Sequence, residues 1–396
     1  MNRKGSLADL VNELKSQNLQ KKDFVIPARM LSMQNGKLIV NNYDENPDLI
    51  KLLGEVGITS PESGKLELDV LDVLHGNLSD KLEIPRKYYN KIMLEKKLLD
   101  ENVSYWLNKK KENVFLRTFI NKEENKGFGR AMLSDRYNVI DNFDVLFACL
   151  EAVKDSGLKL EIEDGGCDLS ENRMYLRFIN PNIEIQAPEL LKNYKSPKGD
   201  GANVGDGIIS GFVISNSEVG QGSFNISPRA VVLKCKNGMV FKDDAFGKVH
   251  LGAKMEKYSQ IDWSEETKRK NYELIMSQVK DAIKKFTSED FLAQKINQLN
   301  DYAKQELAYP LDTVRNVTKT LNLSEEKERS ILDFFMKGND YSVMGVSQAI
   351  TFYAHETKDA DEAFDLEMAA VDMLPKIKDL DKPTVSKSTQ TQAVLN

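Results

Sequence analysis

Between residues 114 and 240, apolar side chains recur at every second position in short blocks, with turn residues between the blocks. A period of two places alternate side chains on opposite faces of a pleated strand, so this stretch is constrained to strands. The blocks at 114–119, 130–133, 158–162, 173–178, 212–215 and 230–235 are expected to share one mainly antiparallel sheet. Asp164-Gly165-Gly166 and Lys236-Asn237-Gly238 read as turns linking them. The glycine pairs Gly127/Gly129 and Gly220/Gly222 also read as turn glycines, because neither belongs to a complete phosphate-binding motif.

Outside this block the period changes to that of a helix. Leu7, Leu10, Val11 and Leu14 follow the i, i+3, i+4, i+7 rule, and 47–53, 85–99 and 142–156 also read as helices. Gly157 is placed to end the last of these. Asn35-Gly36 between apolar runs predicts a hairpin. A long helical pattern over 264–306 is expected to break near Thr287-Ser288, where Ser288 suits an N-cap, and Ser324 suits another. The pattern ends in helices at 346–355 and 361–374. The fold class is therefore α+β, a mainly antiparallel sheet with helices followed by a helical C-terminal region. The expected divisions are a helical and hairpin lead-in at 1–100, an antiparallel α+β core at 101–260, helices at 261–374 and a disordered tail at 375–396. A polar loop over 192–207, bearing Lys192, Lys195 and Lys198, is expected to be mobile and to close over a ligand.

Charge narrows the function classes. The chain carries 55 basic and 61 acidic residues, and residues 261–396, with 18 basic against 24 acidic, hold the whole net charge of −6. That excludes a globally basic nucleic-acid binder but leaves room for a basic face. No apolar run approaches the roughly 18 residues of a spanning helix, so no membrane partner is expected. Three cysteines (Cys149, Cys167, Cys235) argue for reduced thiols rather than a disulfide framework, and no secretory leader is legible. The expected location is the host cytoplasm. Three histidines and no recognisable catalytic or metal motif give no catalytic residue, no metal ligand set and no cofactor to name.

The strongest chemical signal is basic residues interleaved with aromatics. Residues 105–139 hold eight basic groups against four acidic, together with Tyr105, Trp106, Phe115, Phe119, Phe128 and Tyr137. Residues 228–258 hold seven against three. Cations that track phosphates and rings that stack on bases are what a single-stranded nucleic-acid site requires. The candidate contacts are Arg117, Arg130, Arg136 and Tyr137, extended by Lys234, Lys236 and Lys242. The competing reading of the same pattern is a half-buried sheet with aromatics in the core and lysines in water.

Several blocks carry a resemblance. Ile84-Pro85-Arg86-Lys87-Tyr88-Tyr89, Asn102-Val103-Ser104-Tyr105-Trp106-Leu107 and Arg130-Ala131-Met132-Leu133-Ser134-Asp135-Arg136-Tyr137 occur in that order. They are followed by Ser215-Asn216-Ser217-Glu218-Val219-Gly220, Lys234-Cys235-Lys236-Asn237-Gly238-Met239 and Gln348-Ala349-Ile350-Thr351-Phe352-Tyr353-Ala354. Across residues 70–374 the chain resembles an uncharacterised phage/plasmid-like protein family (domain of unknown function 932). The resemblance implies a bacteriophage or plasmid setting and supplies no catalytic residues. The leading expectation is a nonenzymatic protein that binds single-stranded DNA in recombination or replication and self-associates as a homo-oligomer. The alternative is a structural or virion-associated interaction protein. An enzyme using Asp135, Asp141 and Glu218 ranks last, since no sequence spacing brings those carboxylates together.

Overall fold

The period-two blocks become strands, save that only Glu161 and Ile162 of the block at 158–162 do so and 233–235 lie outside the described residues. The strands divide between two sheets. In the computed structural model, residues 4–41, 47–56, 65–192, 207–232, 238–248 and 264–384 are described. The N-terminal elements are α1 (Leu7–Gln20), β1 (Phe24–Pro27), β2 (Leu31–Gln34), β3 (Lys37–Val40), α2 (Pro47–Val56), β4 (Leu66–Val70) and α3 (Asp72–Lys81). They continue as α4 (Arg86–Ile92), α5 (Lys96–Lys109), β5 (Asn113–Asn121) and β6 (Lys126–Ser134). The middle holds α6 (Asn142–Asp155), β7 (Glu161–Leu169), β8 (Met174–Gln186), α7 (Pro188–Leu191), β9 (Gly207–Asn216), β10 (Phe224–Val232), β11 (Gly238–Val240) and β12 (Phe246–Lys248). Then come α8 (Glu265–Phe286), α9 (Glu289–Ala303), α10 (Pro310–Thr320), α11 (Glu325–Gly338), α12 (Val343–Glu356), α13 (Ala360–Asp372) and α14 (Leu374–Ile377).

The first sheet runs β1-β5-β6-β4-β3-β2, and the second β11-β10-β9-β8-β7 with β12 also on β10. All described pairs are antiparallel except β4 with β6. The single sheet expected from the sequence is thus corrected to two, since alternation fixes a strand's faces but not its partners. Residues 1–100 are no separate lead-in either: β1 pairs with β5 and β4 with β6, so the first sheet interleaves both parts of the chain.

Local chemistry explains most boundaries. Asn35 and Gly36 both take positive φ, giving the two-residue turn whose twist suits a hairpin, and Gln34 faces Lys37 across it. Ser6 and Asp9 cap α1 reciprocally, while Ser288 and Ser324 accept from Phe291 N–H and Lys327 N–H. Two turn assignments are corrected. Asp164-Gly165-Gly166 lies inside β7 as a bulge between Ile162 and Cys167, and the turn falls instead at Ser170–Arg173. Gly127 and Gly129 sit within β6, where a β-carbon would press on Leu68 and Leu74. The helix expected over 85–99 is two helices, α4 and α5.

Helices α2–α5 cover one face of the first sheet through a core that includes Leu38, Leu68, Leu99, Val103 and Leu116. Helices α1, α6 and α8 cover one face of the second sheet over Phe178, Phe212 and Ile214, and α13 covers the other with Phe364 on Tyr175. The later helices close a third core against Ile208, Ala230 and Val232. Order extends past the expected end at 374. Asp381 accepts from the N–H groups of Ala308 and Tyr309, both at 2.8 Å, and Thr384 donates to Asp312. Residues 385–396 lie outside the described residues.

Candidate functional site

Three of the four central candidates turn inward. Arg117 on β5 is fully buried, with Nη2 2.7 Å from Asp23 and 2.9 Å from Asp141, and Nη1 donating to the Glu218 carbonyl at 2.9 Å. Arg130 on β6 lies 3.9 Å over the Phe119 ring and donates from Nη2 to Glu218 at 2.6 Å. Lys21 joins Asp141 at 3.1 Å to Glu218 at 2.7 Å, and the Asn142 N–H also donates to Glu218. Tyr137 donates its hydroxyl to the Ser217 carbonyl and stacks on Phe115. Arg117, Arg130 and Tyr137 are therefore corrected from nucleic-acid contacts to the fastening between the two sheets. Three cations face three carboxylates there, and the charge that reads as a phosphate track is already neutralised.

The electrostatics follow from that enclosure. Burial pulls Arg117 toward losing its proton, but Asp23, Asp141 and Glu218 overcome it and hold the guanidinium firmly charged. Burial likewise pushes Glu218 up, yet Lys21, Arg130 and Arg117 hold it well below the ordinary carboxylate range. Asp141 is lowered against its own burial by Lys21 and Arg117. Asp141 and Glu218 do come together on Lys21, although no sequence spacing joins them, and each is paired with cations. No group of three or more metal-ligating side chains occurs among the described residues.

Asp144 is the exception. Burial and then the charge of Asp141 push it up to about 6. A carboxylate raised in the fold from an unfolded value of about 3.9 is penalised as pH climbs between the two, and the full penalty holds above 6. Asp144→Asn is therefore expected to gain about 1 kcal/mol at pH 7 and nothing at pH 4, read from urea midpoints at both pH values.

The other candidates scatter. Arg136 is exposed just beyond β6, and Lys192 is exposed after α7. Lys242 is exposed after β11 in the second sheet, so it does not extend a track from Arg136. Lys195, Lys198, Lys234 and Lys236 lie outside the described residues, as does most of the 192–207 loop. In the second sheet Arg229 is also absorbed, 2.5 Å from Glu163 and 3.3 Å from Glu367, and Arg177 pairs with Asp168.

The exposed aromatic and cationic side chains gather on α4 and α5 instead. Leu99, Val103 and Leu107 bury one face of α5, and Asp100 and Ser104 bind the β2–β3 hairpin by accepting from Asn35, Gly36 and Met33 N–H groups. Outward lie Leu98, Glu101, Tyr105, Trp106, Asn108 and Lys109, with Asn102 half-buried beside them. Tyr105 and Trp106 are 56% and 46% exposed, their rings edge-to-face at 5.2 Å, and Lys109 Nζ lies 5.6 Å from the Tyr105 centroid. Tyr88 of α4, 42% exposed, reaches Asn102 at 3.4 Å and joins the same face. Lys87 and Lys91 flank it, and residues 81–111 carry nine basic groups against four acidic. The aromatics that the sequence singles out include Tyr105 and Trp106 but not Tyr88. The helical period separates it from its neighbour, since Tyr89 is buried and Tyr88 is not.

No helix among the described residues is long and apolar enough to cross a membrane. No family model, curated protein or solved structure matches the chain.

Proposed function

We propose that the protein is a nonenzymatic binder of single-stranded nucleic acid, most fittingly single-stranded DNA in a phage or plasmid setting, and that the α4–α5 face is its contact surface. The observation carrying this reading is the exposed row Tyr88, Tyr105 and Trp106, bordered by Lys87, Lys91 and Lys109. Large aromatic faces left in water lose free energy that a core position would recover. Stacked bases recover it at about 1–3 kcal/mol each, while the lysines follow the phosphates. The buried arginines support the fold, and the exposed helices supply the surface.

The test is a titration with a labelled oligonucleotide at two salt concentrations. Tyr105→Ala with Trp106→Ala is expected to weaken binding by roughly 100-fold at low salt, with the melting temperature nearly unchanged because both side chains are half exposed. Lys87→Ala with Lys91→Ala is expected to lower the salt slope by about two units. A wild-type chain that does not bind oligonucleotide at low salt would defeat the reading and favour a protein partner on this face.

A further inference from the structure

The seam between the sheets is hollow on one side. A chamber of about 300 Å³ lies there, lined by Arg130, Phe119, Gln17, Asn172, Arg173 and Glu171 among others. It shares Val73, Leu169, Ser170, Glu171 and Asn172 with a wider cleft of about 670 Å³ whose walls carry Arg86 and Lys358 against Asp72, Asp359 and Asp361, so the arginine end of the chamber is the part suited to an anion. Arg130 is only 5% exposed, and its Nη1 has no hydrogen-bond partner among the described residues. The surrounding cluster has nothing left to offer it. Glu218 spends one oxygen on Arg130 Nη2 and the other on Lys21 and the Asn142 N–H. Arg173 brings a second cation to the chamber, tied by Nη1 to the exposed Asp365 and by Nε to the Gln221 carbonyl.

We propose that this chamber is a binding site for a small oxyanion-bearing molecule, whose phosphate or carboxylate group is received by Nη1 of Arg130. A buried guanidinium N–H without a partner is costly, and an anion satisfies it with a charge-assisted hydrogen bond. Phe119 and Glu218 hold the guanidinium in place beforehand, so little ordering is needed on binding. The volume suits a small molecule and is too small for a protein segment. Tyr88, Tyr105 and Trp106 are not among its lining residues, so the site goes beyond the nucleic-acid reading and does not depend on it.

The experiment is a thermal melt of the full chain in about 20 mM inorganic phosphate, acetate or chloride at matched ionic strength. Phosphate or acetate is expected to raise the midpoint by about 2 °C over chloride, and the anion that does so identifies the group. Arg130→Lys keeps a cation beside Glu218 but loses the second donor, so the shift is expected to vanish. Gln17→Glu, on the half-exposed face of α1, replaces the amide that donates to Glu13 with a third carboxylate beside Glu171 and Glu218, and is expected to abolish the shift. No shift in the wild type, or a shift retained in either folded variant, overturns the proposal.

Discussion

Arg117→Ala is expected to cost about 3–5 kcal/mol of stability, because it leaves Asp23 and Asp141 beside a cavity with their shared cation gone. The guanidinium also donates to the Glu218 carbonyl, so one substitution loosens three segments that meet nowhere else in sequence. Equilibrium urea unfolding reads the loss directly. A change below about 1 kcal/mol would mean that water replaces the cluster without penalty. The pH dependence gives a second check. Asp141 and Glu218 are depressed in the fold, so their contribution is complete above the unfolded value of about 4 and is lost as pH falls through the folded values. In Arg117→Ala the depression of Asp141 shrinks, and the loss of stability on acidification should be shallower than in the wild type.

Gly345→Ala should be comparably severe for a steric reason. Gly345 sits in the first turn of α12, donating its N–H to the Ser342 cap, and a β-carbon there would overlap the backbone carbonyl of Asp340. Backbone cannot step aside as a flexible side chain can, so a loss of about 3 kcal/mol is expected, seen as a lowered melting midpoint. Gly54 in α2 supplies the control. Nothing lies within 4 Å of its missing β-carbon, so Gly54→Ala should stabilise by about 0.5–1 kcal/mol. Equal effects at the two glycines would show that helix propensity, not the Asp340 contact, decides both.

Much of the architecture was legible because it is written locally. Ser6, Ser288 and Ser324 announce helix starts, Asn35-Gly36 a tight hairpin, and Gly157 takes the positive φ of a helix end. The division into two sheets was not legible, because pairing β4 with β6 is a choice among many strands of equal alternation. The site was harder still. Arg117 and Glu218 are about a hundred residues apart, and a charge count cannot tell a cation facing a buried carboxylate from one facing water. The arginines therefore read as an interface, when burial makes them a fastening. Tyr105 and Trp106 stood out as aromatics beside lysines, but only the burial of Leu99, Val103 and Leu107 shows which way they point.

The seam has a consequence for how the chain is made. All six strands of the first sheet have been synthesised by Ser134, so that sheet can assemble while the rest of the chain is still on the ribosome. Lys21, Asp23, Arg117 and Arg130 are by then close to their final places, but Glu218 has not yet been translated. For the time it takes to add more than eighty residues, Arg130 lacks its carboxylate and must stay hydrated at an edge that ends up dry, while Arg117 has Asp23 and Lys21 gains Asp141 early. Glu218 supplies the carboxylate that Lys21 and Arg130 share, so an interrupted chain ending before residue 218 is expected to be left open at its most polar edge.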